Sequence, residues 1–284
     1  MPDAADDVDE FLRAIYLPGY IHRHGHPTSG VPCWSGFPGM YEGILRLAKK
    51  YDAPGIQKAI TAAVKNEWPP TLRSWDVRQD QAEEDAKSAA NAGLPLSSVV
   101  YPNPARTVRI ANDYGIPEVL PVAYYDLYQV YKLKKVRTDT VQLDALTSDE
   151  KDVLILGMAS MNKHVVEELC HPSLPPHQAD VHLGKLEEQF SSDGIVPCME
   201  PLLRWWGLQF DRILESADPL RGLKVAEETV MLSSGLGARW EVDAACFSCR
   251  DHIRETIHDM RHELWKKLPA LFDLMASVGH NWGA

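Results

Sequence analysis

Residues 41–68 read YEGILRLAKKYDAPGIQKAITAAVKNEW, a stretch that predicts two short helices joined by a tight corner. In its first half, apolar side chains recur at helical spacing and define an inward face made of Tyr41, Ile44, Leu45, Ala48 and Tyr51. The second half repeats this pattern with Ile56, Ala59, Ile60, Ala63 and Val64. Pro54 suits the first position of the second helix, because its ring fixes φ and disfavours a helical conformation at Ala53. Neither helix can bury its apolar face alone, so the pair is predicted to be the packing unit around which the fold is organised.

The residues before this pair predict one more helix and a long irregular segment. Residues 8–16 form a short helix whose inward side carries Val8, Phe11, Leu12 and Ile15. We expect Phe11 and Leu12 to pack against the core of the two-helix unit, which is formed by Ile44, Leu45, Leu47 and Ile60. Residues 17–39 hold four prolines and five glycines and predict a surface loop.

The rest of the chain predicts further helices. Local start and stop signals occur at Asn103, Pro104 and Gly115, at Leu120 and Pro121, at Thr147 and Glu150, and at Asp218 and Pro219. Apolar periodicity predicts a helix over residues 202–214 and another over about 241–268 that stops at Pro269. No segment shows the period-two pattern of a strand. The predicted fold class is therefore all-α, an irregular multi-helix array with long loops.

A polar stretch suggests how this array is divided. Residues 79–91 are helix-prone but lack an apolar stripe, which predicts a solvated helix or a linker. The predicted organisation is thus an amino-terminal helical part over residues 1–70, a linker or solvated helix over 71–98, and a helical carboxyl-terminal region over 99–284.

Composition excludes several classes of partner and location. The 284-residue chain carries a net charge of −11, which disfavours general affinity for nucleic acid or an anionic membrane. Its first ten residues are acidic, unlike a signal peptide, and its longest apolar run, residues 153–161, is far shorter than the roughly 20 residues of a membrane helix. Five cysteines in a chain of this size indicate a reducing, intracellular setting, either cytoplasm or nucleus.

Several phrases of the sequence resemble a known family. The pattern LxLAxKYD, a short corner and a second apolar helix are similar to the last two helices of a BTB/POZ domain, and VDEFLRAIY over residues 8–16 is similar to the helix that precedes them. Further phrases resemble the carboxyl-terminal extension of BTB proteins common in mushroom-forming fungi: Trp68-Pro, LRSWD (72–76), ANDYGIP (111–117), LPVAYYDL (120–127) and RHELWKKLP (261–269). The ordered match covers most of the chain.

This resemblance carries expectations about function. It implies a non-enzymatic protein-interaction module that self-associates, bridges to a cullin ubiquitin ligase or acts as a transcriptional co-regulator. The strand hairpin and the Asp-x-x-Phe-x-x-His segment that open the family's domain have no counterpart after Met1. We therefore expect the chain to lack the family's dimerising sheet, as a degenerate member or a truncated gene model would.

The sequence motifs found in known enzyme classes also favour a non-enzymatic protein, because the main ones are absent. The sequence contains no Gly-x-Ser-x-Gly elbow, no phosphate-binding loop, no Gly-x-Gly-x-x-Gly and no His-Glu-x-x-His. We accordingly predict no catalytic, cofactor-binding or metal-binding residue and no cofactor.

Two groups of residues support an alternative function, a helical metal-binding protein or metal-dependent hydrolase. His22, His24 and His26 lie in the predicted loop, but alternate residues converge only on a strand. His258 and His262 lie at i, i+4 and could chelate a metal, although no third ligand is evident. Four cysteines form the second group, Cys170, Cys198, Cys246 and Cys249. They would suffice for a structural zinc, but only one Cys-x-x-Cys pair has zinc-like spacing, so we favour the interpretation that they are small core residues.

Overall fold

The computed structural model of the protein describes residues 3–17, 19–21, 38–39, 41–93, 103–133, 143–170, 198–231, 245, 247–279 and 282–283. Over these ranges the regular structure is helical and contains no strand, which confirms the predicted all-α class. The chain divides into two compact units, Met1–Met158 with Lys266–Ala284, and Ala159–Trp265.

The α-helices of the described ranges are numbered α1 to α11 in chain order. They span Ala5–Tyr16 (α1), Tyr41–Lys50 (α2), Pro54–Glu67 (α3), Leu72–Asn91 (α4), Pro104–Tyr114 (α5), Leu120–Leu133 (α6), Ser148–Glu168 (α7), Met199–Glu215 (α8), Pro219–Met231 (α9), Phe247–Leu271 (α10) and Met275–Val278 (α11). Single 3-10 turns occur at Pro117–Val119 and Leu143–Ala145. α7 and α10 each contribute residues to both units.

The corner between α2 and α3 lies in the core of the first unit. The predicted core residues Ile44, Leu45, Leu47 and Ile60 are all buried. The chain leaves α2 through a left-handed residue, Asp52 with φ of 52°, and the Ala53 amide donates back to the Ala48 carbonyl at 2.8 Å. Pro54 then begins α3, as predicted. Tyr51 departs from its predicted inward position and is 57% exposed, because it follows the last helical residue of α2.

The first turns of α4 also belong to the core of the first unit. Leu72 and Trp75 are buried, and the Trp75 ring meets Tyr125 of α6 edge-on with 6.2 Å between centroids. The sequence-based boundaries at residues 70 and 98 therefore fall inside one compact unit. The later turns of α4, through Asn91, are exposed or half-buried, as expected for a solvated helix.

An arginine joins α4 to its neighbours. Arg78 Nε donates to Glu67 Oε1 at 2.7 Å, and its Nη2 lies 3.4 Å from Oδ2 of the fully buried Asp126. The guanidinium also lies over the rings of Trp75 and Trp68, at 4.6 and 5.8 Å from the centroids. Burial alone would lower the pKa of Arg78, but the two carboxylates outweigh it and raise that pKa, so the residue is a charged link between three helices.

Local capping signals fix the helices of the first unit. Asn103 Oδ1 accepts from the amides of Ala105 and Arg106 at 3.1 and 3.2 Å, and Gly115 closes α5 with φ of 69°. Both features confirm the sequence prediction. Leu120 likewise begins α6, so Pro121 lies in the first turn, where a missing amide hydrogen has no cost.

The predicted capping box before α7 is also confirmed. The Thr147 amide donates to Glu150 Oε2 at 2.8 Å, and the Glu150 amide donates to Thr147 Oγ1 at 3.3 Å. Glu150 is buried and its other oxygen accepts from Asn112 of α5 at 2.7 Å. The same residue thus caps α7 and ties it to α5.

The second unit packs α8 and α9 with the adjoining parts of α7 and α10. The predicted inward side of α9 is confirmed, since Leu220, Leu223, Ala226 and Val230 are all buried. The carboxylate of Asp218 accepts from the Arg221 amide at 2.9 Å and caps α9 as predicted. Arg261 of α10 donates to the Leu220 carbonyl at 3.1 Å, and Trp206 of α8 donates to the Cys170 carbonyl at 3.3 Å.

One predicted helix end is wrong. α10 does not stop before Pro269 but continues to Leu271 with the proline inside its last turn. The chain then leaves the helix through Asp273, a left-handed residue with φ of 53°. The Leu274 amide donates to the Pro269 carbonyl at 2.6 Å, so the helix ends through this turn rather than through the proline ring.

Candidate interaction surface

α1 contacts α2 through a face that is mostly charged. Asp3, Asp7 and Phe11 recur every fourth residue and so lie along one side of the helical segment. Asp3 pairs with Lys50 at 2.7 Å, Asp7 pairs with Arg46, and the Phe11 ring stacks on Tyr51 with 6.1 Å between centroids. 

The contact between the two helices is close. Gly43 of α2 faces the Asp7 carboxylate, and a Cβ at this position would collide with it. Tyr51 adds a hydrogen bond from its hydroxyl to Asp3 Oδ2 at 3.0 Å. The side chains of Lys50 and Tyr51 hold the pKa of Asp3 below its ordinary value, so the carboxylate stays charged to a lower pH than an unpaired aspartate does.

The segment that follows α1 anchors its carboxyl-terminal end. Tyr20 and Ile21 are buried, and the Tyr20 hydroxyl donates to Glu10 of α1. The Ile21 carbonyl accepts from the Tyr41 hydroxyl at 2.7 Å, and burial raises the pKa of Tyr41 to about 12. This anchor holds the end of α1 in a defined position beside the start of α2.

The carboxyl-terminal end of α1 presents apolar side chains to solvent. Leu12, Ile15 and Tyr16 of α1 are 44%, 47% and 75% exposed, and Leu17, which follows the helix, is 50% exposed. We call these four residues the α1 patch. The predicted burial of Leu12 and Ile15 is therefore wrong, because α1 turns its Asp3–Asp7–Phe11 side toward α2 and buries only Phe11. Single exposed apolar residues are ordinary, whereas a contiguous group of this kind is typical of an interaction site.

The residues considered for metal chemistry are only partly described. The His258 and His262 rings lie with 4.4 Å between centroids and their planes tilted by 42°, and His258 Nδ1 lies 3.0 Å from Glu227 Oε1. Within the described ranges, no group of three or more His, Cys, Asp or Glu side chains could hold a metal ion. The loop histidines His22, His24 and His26 lie outside these ranges.

The cysteines are described in part as well. Cys198 is buried, and Cys170 and Cys249 are half-buried. Cys246 lies outside the described residues, so the four-cysteine zinc site stays untested as a whole. The three described cysteines do not form a metal-binding group with one another.

No protein-family model, curated protein or solved structure matches the chain. Among the described helices, none combines the length and the apolar character needed to span a membrane.

Proposed function

We propose that this chain is a non-enzymatic protein-interaction module of an intracellular setting, and that it binds a protein partner through the α1 patch. The single observation that carries the proposal is the exposure of Leu12, Ile15, Tyr16 and Leu17 at the carboxyl-terminal end of α1, a helix that packs on α2 through Asp7 and Phe11. The resemblance of residues 8–68 to the helices of a BTB/POZ domain supports the same class of function.

Exposure of this apolar surface to water has a free-energy cost that a bound partner would remove. Burial of apolar surface against a partner contributes a favourable free energy of roughly 25 cal/mol per Å² removed from water. Tyr16 is the most exposed of the four, and tyrosine is enriched among residues that dominate binding energy, since it offers a large apolar ring with a polar tip. The patch also lies beside the charged Arg13–Asp9 pair, which resembles the polar rim around an apolar centre.

The partner is either a second copy of the chain or a different protein, and one measurement covers both. We suggest fluorescence-detected sedimentation of the labelled full chain, in buffer and in an extract of cells that express it. The expected result is a species clearly larger than the 31.8 kDa monomer in at least one of the two conditions. A complex in buffer identifies self-association, and a complex in the extract alone identifies another protein.

The test variant replaces Leu12 and Tyr16 by glutamate, which places charge in the patch without touching the α2 contact. The control, Val77→Glu, places the same charge at an isolated exposed apolar residue of α4 that is 66% exposed. We expect the patch variant to sediment as a monomer and the control to behave as wild type. A wild-type monomer in both conditions would refute the proposal, as would a patch variant that sediments like wild type.

A further inference from the structure

A polar cleft lies in the first unit, away from the α1 patch. Its volume is about 340 Å³, and it is lined by Leu45 and Lys49 of α2, Gln57 and Thr61 of α3, and Asp113, Tyr114 and Gly115 at the end of α5. This volume is at the lower end of the range for small-molecule sites. The helices that form the walls are held in place by the core, because Leu45, Ala48, Ile60 and Ala111 of these helices are buried.

One wall of the cleft carries side-chain hydrogen-bonding groups that have no partner among the described residues. The side chains of Lys49, Gln57 and Thr61 make no hydrogen bond or ion pair with any described residue. Lysine supplies only donors, while the glutamine amide and the threonine hydroxyl supply donors and acceptors. These three side chains share one cleft, so they can together donate to a single anionic group such as a carboxylate.

The part of the cleft formed by the end of α5 has the reverse polarity. Asp113 is a carboxylate on the last turn of α5 and is about half-exposed. Its two oxygens accept from Arg109 Nη2 at 3.3 and 3.1 Å, and each oxygen retains a lone pair for a further donor. The carboxyl-terminal end of a helix carries partial negative charge on its last carbonyl groups, and α5 ends at Gly115. Asp113 and the carboxyl-terminal end of α5 both favour a cationic group placed beside them. The negative potential is consistent with the pKa of Tyr114, which burial first and then the Glu42 and Asp113 carboxylates raise.

We propose that this cleft binds a small zwitterion, a molecule of the size of an amino acid or dipeptide with a carboxylate at Lys49, Gln57 and Thr61 and an ammonium group at Asp113. A ligand with only one of these charges can pair with only one wall of the cleft. The other wall then faces a group of like charge or a neutral group. The site requires neither the α1 patch nor a protein partner, so it stands independently of the proposed function.

The test is an NMR titration of the full chain with L-alanine and with L-alanyl-L-alanine, which separates the two possible ligand sizes. The N-acetyl derivative of the dipeptide lacks the ammonium group, and its methyl ester lacks the carboxylate. We expect roughly millimolar binding of at least one zwitterion and an affinity loss of about fivefold or more for each derivative, since partly exposed ion pairs contribute on the order of 1 kcal/mol.

Variants assign the two charges to the two walls. Lys49→Met is expected to weaken binding of the zwitterion and to abolish the difference in affinity between the zwitterion and the methyl ester. Asp113→Asn is expected to abolish the difference in affinity between the zwitterion and the N-acetyl form. Lys58→Met removes an exposed lysine of α3 that does not line the cleft, and it should leave all affinities unchanged. The proposal is overturned if no zwitterion binds below about 10 mM, which is weaker than the millimolar scale of specific small ligands. It is equally overturned if the derivatives bind as well as the parent, or if Lys58→Met acts like Lys49→Met.

Discussion

Replacing Arg78 by methionine tests the charged link that joins α4 to the core. Asp126 is fully buried and its carboxylate lies 3.4 Å from Arg78 Nη2, so the variant leaves a charged group without its cation. Removing one partner of a buried ion pair costs about 3–5 kcal/mol. The Arg78 side chain is only 12% exposed, so solvent screening reduces this cost little. Methionine retains much of the packing volume, but the guanidinium contacts with Trp75 and Trp68 are lost, which adds about 0.5–1 kcal/mol.

We therefore expect the free energy of unfolding of the first unit to fall by about 4 kcal/mol, measured by urea denaturation and followed by tryptophan fluorescence at pH 7. Arg73→Met is the matched control, because Arg73 is exposed on the same helix. It should change the free energy by less than about 0.5 kcal/mol.

A double variant separates the ion pair from general packing loss. Arg78→Met combined with Asp126→Leu removes both charges, and Glu67, which is partly exposed, can turn to water. The double variant should recover at least about 1 kcal/mol relative to Arg78→Met alone. A single variant that costs less than about 1 kcal/mol, or a double variant no more stable than the single one, would refute this reasoning.

Three further predictions concern the first unit. Asp52→Gly should raise the free energy of unfolding by up to about 1 kcal/mol, since glycine adopts the left-handed corner without strain; a loss of stability on denaturation would contradict this. Gly157→Ala should cost about 1–3 kcal/mol, because its Cβ would collide with the Phe272 ring, and an unchanged thermal midpoint would show that the ring moves freely. Lys50 and Tyr51 lower the pKa of Asp3, so its contribution to stability is fully present above the ordinary aspartate pKa and is lost as the pH falls through the lower folded-state pKa. Hydrogen exchange of α1 should increase over that acidic range, and Asp3→Asn should reduce this pH dependence.

The parts of the fold that sequence could predict are those set by local chemistry. Asn103, Gly115, Thr147 and Glu150 mark helix ends because their side chains or backbone act within three or four residues of their own position. The corner at Pro54 follows the same rule. These features require no knowledge of distant neighbours, and the structure confirms each of them.

The orientation of α1 could not be predicted in this way. Apolar periodicity favours burial of Leu12 and Ile15, whereas the helix is turned by ion pairs of Asp3 and Asp7 with residues about forty or more positions away in sequence, Lys50 among them. A pattern of aspartates four residues apart, aligned with Phe11, was the available signal. It becomes meaningful only when basic residues at the same spacing, Arg46 and Lys50, are placed opposite.

The polar cleft was inaccessible to sequence reasoning for a similar reason. Lys49 and Gln57 lie on the two helices of one packing unit, but Asp113 comes from a helix that follows much later in the chain. Each of these residues is ordinary on a helix surface. Only the packing of α5 against the corner brings their charges to one place.

The most direct test of the central claim is site-specific photocrosslinking from the α1 patch. A benzophenone amino acid replaces Tyr16 in one sample and Val77 in the control, both of which are exposed apolar positions of the first unit. After irradiation in cells that express the full chain, we expect a discrete protein adduct from position 16 that is absent from position 77 and that the Leu12→Glu substitution removes. The absence of an adduct at position 16, or the same adduct from both positions, would contradict the assignment of the α1 patch as an interaction surface.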